Sequence, residues 1–453
     1  MSEANMNKKK NRWYPWAWST RGFALGVNSL LLMQVTFYAT ESVGLSPELV
    51  GTLILISKLF DGISDLIAGF IIDRTNTKWG KARPYELFLI PTWILTVMLF
   101  STPESMGITG KAIYFFVIYL LINAVTVTFL SSSEAVYLAR STTDEGLRTK
   151  ALTVAGIMAT LFPTAVSIIL PILMATWGTQ PGGWTKIMLV FGVPFTIVGL
   201  IRFFCIKEID AAETQLETKE GKKEQEAISF KDSMKSIAGN KYLFILSATV
   251  LLCAVNNGMN MTTGSYYFQY IVGDLAAMST IGMLGLLTPF VLILFPIAVR
   301  KIGGMNFVRI GLVTAIIGNV VKYFAGDNVP MILAGSFIAA IPGASALMMI
   351  GSIFVIQCMD YGEKKTGIRV EGMVNCVYGF ATKLGSGVAS GILGAIMALA
   401  GFVSGAETQS ASAITAIRWG YSLVPALVCA AMLVILHFYT LEKDNMKLGA
   451  EKE

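Results

Sequence analysis

The chain has 453 residues, of which 54% are hydrophobic and only 14% charged, against roughly 25% charged in an average soluble domain. That balance excludes an ordinary soluble globule and points to a polytopic membrane protein. The net charge of +6 reads as basic loops beside a membrane rather than a nucleic-acid surface. One histidine and five scattered cysteines offer little material for an enzyme, a metal centre or a disulfide framework.

In chain order, Lys8, Lys9, Lys10 and Arg12 precede Trp13, Tyr14, Pro15, Trp16 and Trp18. No small-residue cleavage site follows, so this is a basic tail and an interfacial aromatic belt, not a signal peptide. Apolar stretches of spanning length recur near 20–40, 48–73, 84–102, 112–139, 150–176 and 185–206, and again near 242–272, 276–299, 306–325, 330–357, 371–402 and 413–440. The expected fold is therefore all-α and polytopic, with about twelve transmembrane helices in two six-helix bundles. Residues 1–206 form the first bundle with its tail, 207–241 a charged, solvated connector, and 242–453 the second bundle with its tail.

Of the 35 lysines and arginines, 27 fall in the tails and alternate loops, near 74–83, 140–150, 207–241, 300–309, 364–369 and 443–452. The positive-inside rule then places both termini and the connector in the cytoplasm of a multi-pass protein in the cell membrane. Two six-helix halves joined by a long loop are the arrangement of the major facilitator fold, whose substrate site is expected midway between the halves.

The second predicted helix holds the chemistry. Asp61 and Asp65 lie four residues apart, on one helical face with Ser64, inside an apolar run, and Lys58 precedes Asp61 by three. An ionised carboxylate within the hydrocarbon costs at least ~2.5 kcal/mol, and a second one nearby adds repulsion. A proton, a bound Na⁺ or a buried base must neutralise the pair, which makes it a candidate coupling-ion site. Lys383 lies twelve residues after Glu371, about 18 Å along a helix, too deep for easy snorkelling. Asn256, Asn257 and Asn260 form a polar stretch in the seventh helix, suited to sugar hydroxyls or to helix–helix hydrogen bonds. Glu134, near the cytoplasmic end of the fourth helix but deeper than Arg140, is a further candidate for the coupling or substrate site. Around Lys383, Gly385, Gly387, Gly391 and Gly394 read as close-packing positions.

The loop after the second helix reads Gly69-x-x-x-Asp73-Arg74, continuing through Thr75 to Trp79, Gly80, Lys81, Arg83 and Pro84. Its glycines allow a tight turn and close helix approach, while Asp73 and the basic residues can cap and bridge helix ends. Asp360, Glu363, Arg369 and Glu371 form a second charged block, expected to bridge helices as a gate.

Asp61-x-x-x-Asp65 with Asp73-Arg74-Thr75-x-x-x-Trp79-Gly80-Lys81-x-Arg83-Pro84 resembles the glycoside-pentoside-hexuronide:cation symporters, the family of melibiose permease and the glucuronide carriers. The block from Asp360-Tyr361-Gly362-Glu363 through Thr366-Gly367-Ile368-Arg369 to Glu371-Gly372, with Lys383 beyond it, agrees. The resemblance spans nearly the whole chain. It implies symport of a sugar with Na⁺ or H⁺ by alternating access, with Asp61 and Asp65 as cation ligands, Lys58 as the neighbouring base and Lys383 near both sites. The family's sugar-binding aspartate of helix 1 falls at Gly22, after Arg21; its helix-5 arginine falls near Gly156, and its third acidic position at Ser131. These departures leave Arg21 available for an acidic substrate such as a uronate.

The expected function is secondary active transport of a sugar, glycoside, pentoside or hexuronide, with no cofactor beyond the coupling ion. The expected partners are a small-molecule sugar and the lipid bilayer, with no nucleic acid, and the protein is expected to work as a monomer. The alternatives are a carrier of the same fold for a non-sugar organic anion or drug, and a non-transporting membrane sensor.

Overall fold

A computed structural model describes residues 3–208, 236–287, 297, 300–340, 345–367 and 371–441. Among them every regular element is helical, the one β feature being an isolated bridge between Thr77 and Gly80. Among the described residues eight helices are long and apolar enough to cross a membrane, and shorter apolar helices accompany them. Large apolar side chains such as Ile113, Ile197, Phe204, Leu427 and Val434 stand exposed, as suits a protein whose solvent is hydrocarbon. The connector from residue 209, the tail beyond Leu441 and the side chains of Lys8, Lys9 and Lys10 lie outside the described residues.

The chain divides into two compact units. The first comprises Met1–Lys222, Asp274–Pro289 and Val403–Glu407. Besides the short apolar run Ala276–Leu287, its described helices are α1 (Glu3–Leu32), α2 (Val35–Glu41), α3 (Pro47–Arg74), α4 (Leu89–Leu99), α5 (Ile108–Leu120), α6 (Thr128–Ser141), α7 (Glu145–Trp177), α8 (Gly183–Gly199) and α9 (Ile201–Cys205). Pro47 opens α3, where its missing N–H costs nothing. The α7 start is capped by Asp144, whose carboxylate accepts from Leu147 N at 3.0 Å. A 3₁₀ turn, Arg83–Phe88, leads into α4. Between α5 and α6 the helix passes through a π turn, Leu121–Val127, without breaking. There Thr128 N reaches back five residues to Asn123 O, one more than an α-helix requires.

The second unit comprises Lys223–Gly273, Phe290–Phe402 and Thr408–Glu453. Its described helices are α10 (Lys241–Tyr267), α11 (Gly304–Ala325), α12 (Val329–Ala340), α13 (Ser345–Thr366), α14 (Glu371–Leu399), α15 (Ala411–Arg418) and α16 (Val424–His437). Asn240 caps α10 by accepting from Leu243 N, and its amide donates to Cys358 O at 2.7 Å, tying that cap to α13. The core joins Leu243, Leu246 and Val250 to Val308 and Leu312, and to Cys358, Met432 and Leu436. A Cβ at Gly385 would collide with Leu251 O, so α14 and α10 approach backbone to backbone there. Further π turns follow α10, at Phe268–Val272, and link α15 to α16, at Trp419–Leu423. Cys205, Cys253, Cys358 and Cys429 are free thiols.

Candidate coupling-ion and substrate sites

In the first unit, Asp61 is buried to 3% exposure. Lys58 Nζ lies 3.1 Å from its Oδ2 and donates to Asn123 Oδ1 at 2.7 Å. The ammonium also stands 5.6 Å from the centre of the Tyr119 ring. One turn along α3, Asp65 Oδ1 lies 3.3 Å from the Thr128 hydroxyl, and Ser64 Oγ is 3.4 Å from that same hydroxyl. The Ser64 hydroxyl donates to Asp61 O at 3.0 Å. Carboxylate, amide and hydroxyl oxygens on α3, the π turn and the start of α6 thus gather in one place. Hard oxygen donors of this kind suit a dehydrated alkali cation or a proton. The π turn presents Asn123 and Thr128, five residues apart, to a single face of α3. Asn123, Thr128 and Tyr119 were not singled out in the sequence, although a polar Asn within an apolar run was a signal to follow.

Arg21 is not available in the way the sequence suggested. Its guanidinium pairs with the Glu134 carboxylate, donates to Leu130 O at 2.5 Å and lies 3.6 Å from Glu86 Oε1. Arg202, fully buried, makes two parallel hydrogen bonds to Glu134 at 3.0 and 2.7 Å and lies 3.4 Å from Glu86 Oε2. Trp18 covers the Arg202 guanidinium at 3.5 Å, and Tyr137 stands at 4.9 Å. Two arginines and two glutamates therefore form a charge-balanced quartet on α1, the 3₁₀ turn, α6 and α9. Arginine suits this place because its planar fork binds a carboxylate through two bonds while its face stacks on rings. Glu134 is the most open member, at 34% side-chain exposure. Glu86 and Arg202 went unnoticed because their partners lie far away in the chain.

The loop motif is organised by an acid from elsewhere. Glu208 accepts from the backbone N–H groups of Lys81, Ala82 and Arg83 at 2.9, 2.7 and 2.7 Å, and from Arg140 Nε at 2.9 Å. Successive N–H groups at the start of a helical turn make an anion nest, here filled by a side chain. Arg83 spends its guanidinium on Phe203 O, at 3.0 and 2.8 Å. Gly80 has φ +111°, and a Cβ there would run into the Glu208 carboxylate. At Gly69, by contrast, a Cβ would meet open space, so the expected close helix approach is not made there. Arg74 lies over the Phe70 ring at 3.9 Å. The Asp73 side chain lies outside the described residues.

In the second unit, Asn256 is buried and Asn257 and Asn260 are partly exposed on α10. Asn260 Nδ2 donates to Asn256 O at 2.9 Å, and its Oδ1 accepts from Lys322 Nζ of α11 at 2.7 Å. Lys383 sits within α14, half-buried, and Asp360 and Glu363 on α13. Arg369 and the Glu371 side chain lie outside the described residues. Lys322 is a buried cation whose role the sequence did not reveal.

Residues 22–443 match the family described as MFS/sugar transport protein. The chain belongs to that family. This MFS/sugar transport protein is thus a multi-pass membrane carrier of a small molecule, not an enzyme. It is 28% identical over 455 residues to the isoprimeverose transporter of Lactiplantibacillus pentosus, covering 97% of this chain and 91% of that one. It is 25% identical over 434 residues to the glucuronide carrier protein homolog of Escherichia coli (strain K12), covering 94% and 91%. Among solved structures, the D-xylose-proton symporter superposes with a TM-score of 0.64 at 12% identity, over 92% of this chain and 96% of that one. A bacterial homolog of the human lysosomal transporter Spinster gives 0.66 at 15% identity, over 97% and 98%. The resemblance read from the sequence therefore stands, and the fold is that of the major facilitators.

Proposed function

We propose that the chain is a cation-coupled symporter that carries a neutral sugar or glycoside across the cytoplasmic membrane by alternating access, with both termini in the cytoplasm. The observation that carries this reading is the Lys58–Asp61–Asn123 cluster beside Asp65. A buried carboxylate held by an ammonium is a site where Na⁺ or H⁺ can take over the neutralising charge, releasing Lys58. Coupling follows if cation and sugar favour the same state, since each then tightens the other by an equal factor.

The relatives named as isoprimeverose transporter and glucuronide carrier homolog support a sugar cargo. The charge quartet supports a neutral one, because Arg21 and Arg202 already have their carboxylates. The test is uptake into proteoliposomes of labelled neutral glycosides, pentosides and uronates under imposed Na⁺ or H⁺ gradients, beside Asp61→Asn. Gradient-driven accumulation of a neutral glycoside, lost in Asp61→Asn, is expected. Accumulation that survives Asp61→Asn would sink the ion assignment, and uptake confined to uronates would sink the neutral cargo.

A further inference from the structure

Lys322 is a buried cation to which the transport reading gives no task. It lies on α11 at 3% exposure, and its ligands are neutral. Nζ donates to Asn260 Oδ1 at 2.7 Å and to Tyr421 O at 3.1 Å, and it stands 4.3 Å from the centre of the Tyr421 ring. Among the described residues no carboxylate pairs with it. An ammonium held at spanning depth by neutral groups alone is costly, so its retention calls for a role.

The Tyr421 carbonyl is open to Lys322 for a local reason. In an α-helix its donor would be the N–H of residue 425, and Pro425 has none. The π turn adds to this, with Val424 N reaching back to Trp419 O. Lysine fills the gap between α16 and α11, and in doing so orients a third element, α10. An ammonium can only donate. The Asn260 amide must therefore turn its oxygen toward Lys322 and its nitrogen away. One N–H of that nitrogen goes to Asn256 O at 2.9 Å. The other has no acceptor among the described residues, on a side chain that is partly exposed.

We infer that Lys322 is a positioning and specificity residue, which locks the Asn260 amide so that its open N–H meets an acceptor oxygen of the substrate, a sugar hydroxyl or ring oxygen. The first unit repeats the device: Lys58 Nζ donates to Asn123 Oδ1 at the same 2.7 Å, and Asn123 Nδ2 donates to Tyr119 O at 3.0 Å, at the π turn Leu121–Val127. There Asp61 supplies a counter-charge, which Lys322 does not find among the described residues. Lys322 thus serves geometry where Lys58 also serves charge.

The inference rests on the reading that the chain carries a sugar and that α10 contributes to its site. The experiment is transport kinetics in proteoliposomes with labelled isoprimeverose and the other neutral glycosides of the uptake panel. The variants are Asn260→Ala, Lys322→Met, the double Asn260→Ala/Lys322→Met, Lys322→Arg and Asn260→Asp. Asn260→Ala should raise KM about tenfold with little change in maximal rate, the loss of one hydrogen bond. Lys322→Met should raise KM in the same direction, because the amide then keeps only one of the two bonds that fix it, the one to Asn256 O. The double variant should be no worse than Asn260→Ala alone, since Lys322 acts through that amide. Lys322→Arg, still donor-only, should keep most of the affinity. Asn260→Asp should fold, paired with Lys322, yet lose affinity for want of the N–H, which guards against misfolding of the methionine variant.

A raised KM in Asn260→Ala with none in Lys322→Met, additive effects in the double variant, or undiminished affinity in Asn260→Asp would overturn the inference. An unchanged KM in Asn260→Ala would instead remove α10 from the sugar site. Absence of transport of every panel sugar by the parent would remove the sugar reading, and the inference with it.

Discussion

At the scale of single residues, the Lys58–Asp61 pair sets a testable balance. Removing one partner of a buried ion pair typically costs about 3–5 kcal/mol, because the other charge is left uncompensated. Lys58→Met should therefore lower the melting temperature of the purified protein, and Na⁺ or acid should restore more of it than in the parent. Adding Asp61→Asn to Lys58→Met should recover stability as well; a further loss would contradict the pairing. The quartet makes a parallel case. Arg21→Met and Glu134→Gln should each destabilise, whereas together they should cost less than their sum, because the pair is removed whole. Asp61 and Asp65 stood out in the sequence because a carboxylate in an apolar run needs something to neutralise it, an ion or a neighbouring base. Their neighbours did not. Asn123 lies 65 residues from Lys58, and Glu134 lies 68 from Arg202, and no local pattern encodes such a meeting. Arg21 was misjudged for the same reason: its charge was visible, its neutralisation was not.

Among the elements, the turn from Thr77 to Gly80 is the most constrained by its neighbours. Gly80 N donates to Thr77 O at 2.9 Å, and the backbone then swings through φ +111° into the nest around Glu208. Gly80→Ala meets both a left-sided backbone and a carboxylate in its path, so it should destabilise by about 1–3 kcal/mol. Thermal melting of Gly80→Ala beside Glu208→Gln would check this. The glutamine variant should lose much of the same stability without steric conflict, and a neutral Glu208→Gln would show the nest to be dispensable. The helices themselves were readable from runs of apolar residues, although the run near 20–40 falls on two helices, the first starting back at Glu3, and the run near 330–357 covers α12 and part of α13. The π turns were not, because one extra residue in a turn leaves an all-apolar stretch looking unchanged. Hydropathy reports burial in the bilayer, and it is blind to which residue faces which.

For the whole molecule, the alternation of basic loops predicts a sidedness that labelling can test. In a variant without its native cysteines, Ser105→Cys should react with an impermeant maleimide on intact cells, and Lys207→Cys only after permeabilisation. Both positions are exposed. The reverse pattern would invert the topology. That the chain spans a membrane was evident from composition alone, and its likeness to cation-coupled sugar carriers from two short motifs. One feature of α5 and α6 reaches across all of this. The π turn Leu121–Val127 is a helix lengthened by a single residue, the kind of change one codon can make. The extra residue is taken up within the turn, so the helix beyond it runs about 100° out of phase with an unbroken α-helix of the same sequence. Were the same residues wound as plain α-helix, Thr128 would leave Asp65, and Glu134 and Arg140 would leave Arg202 and Glu208, in one step. Removing one residue from the turn would instead leave α6 facing as it does now.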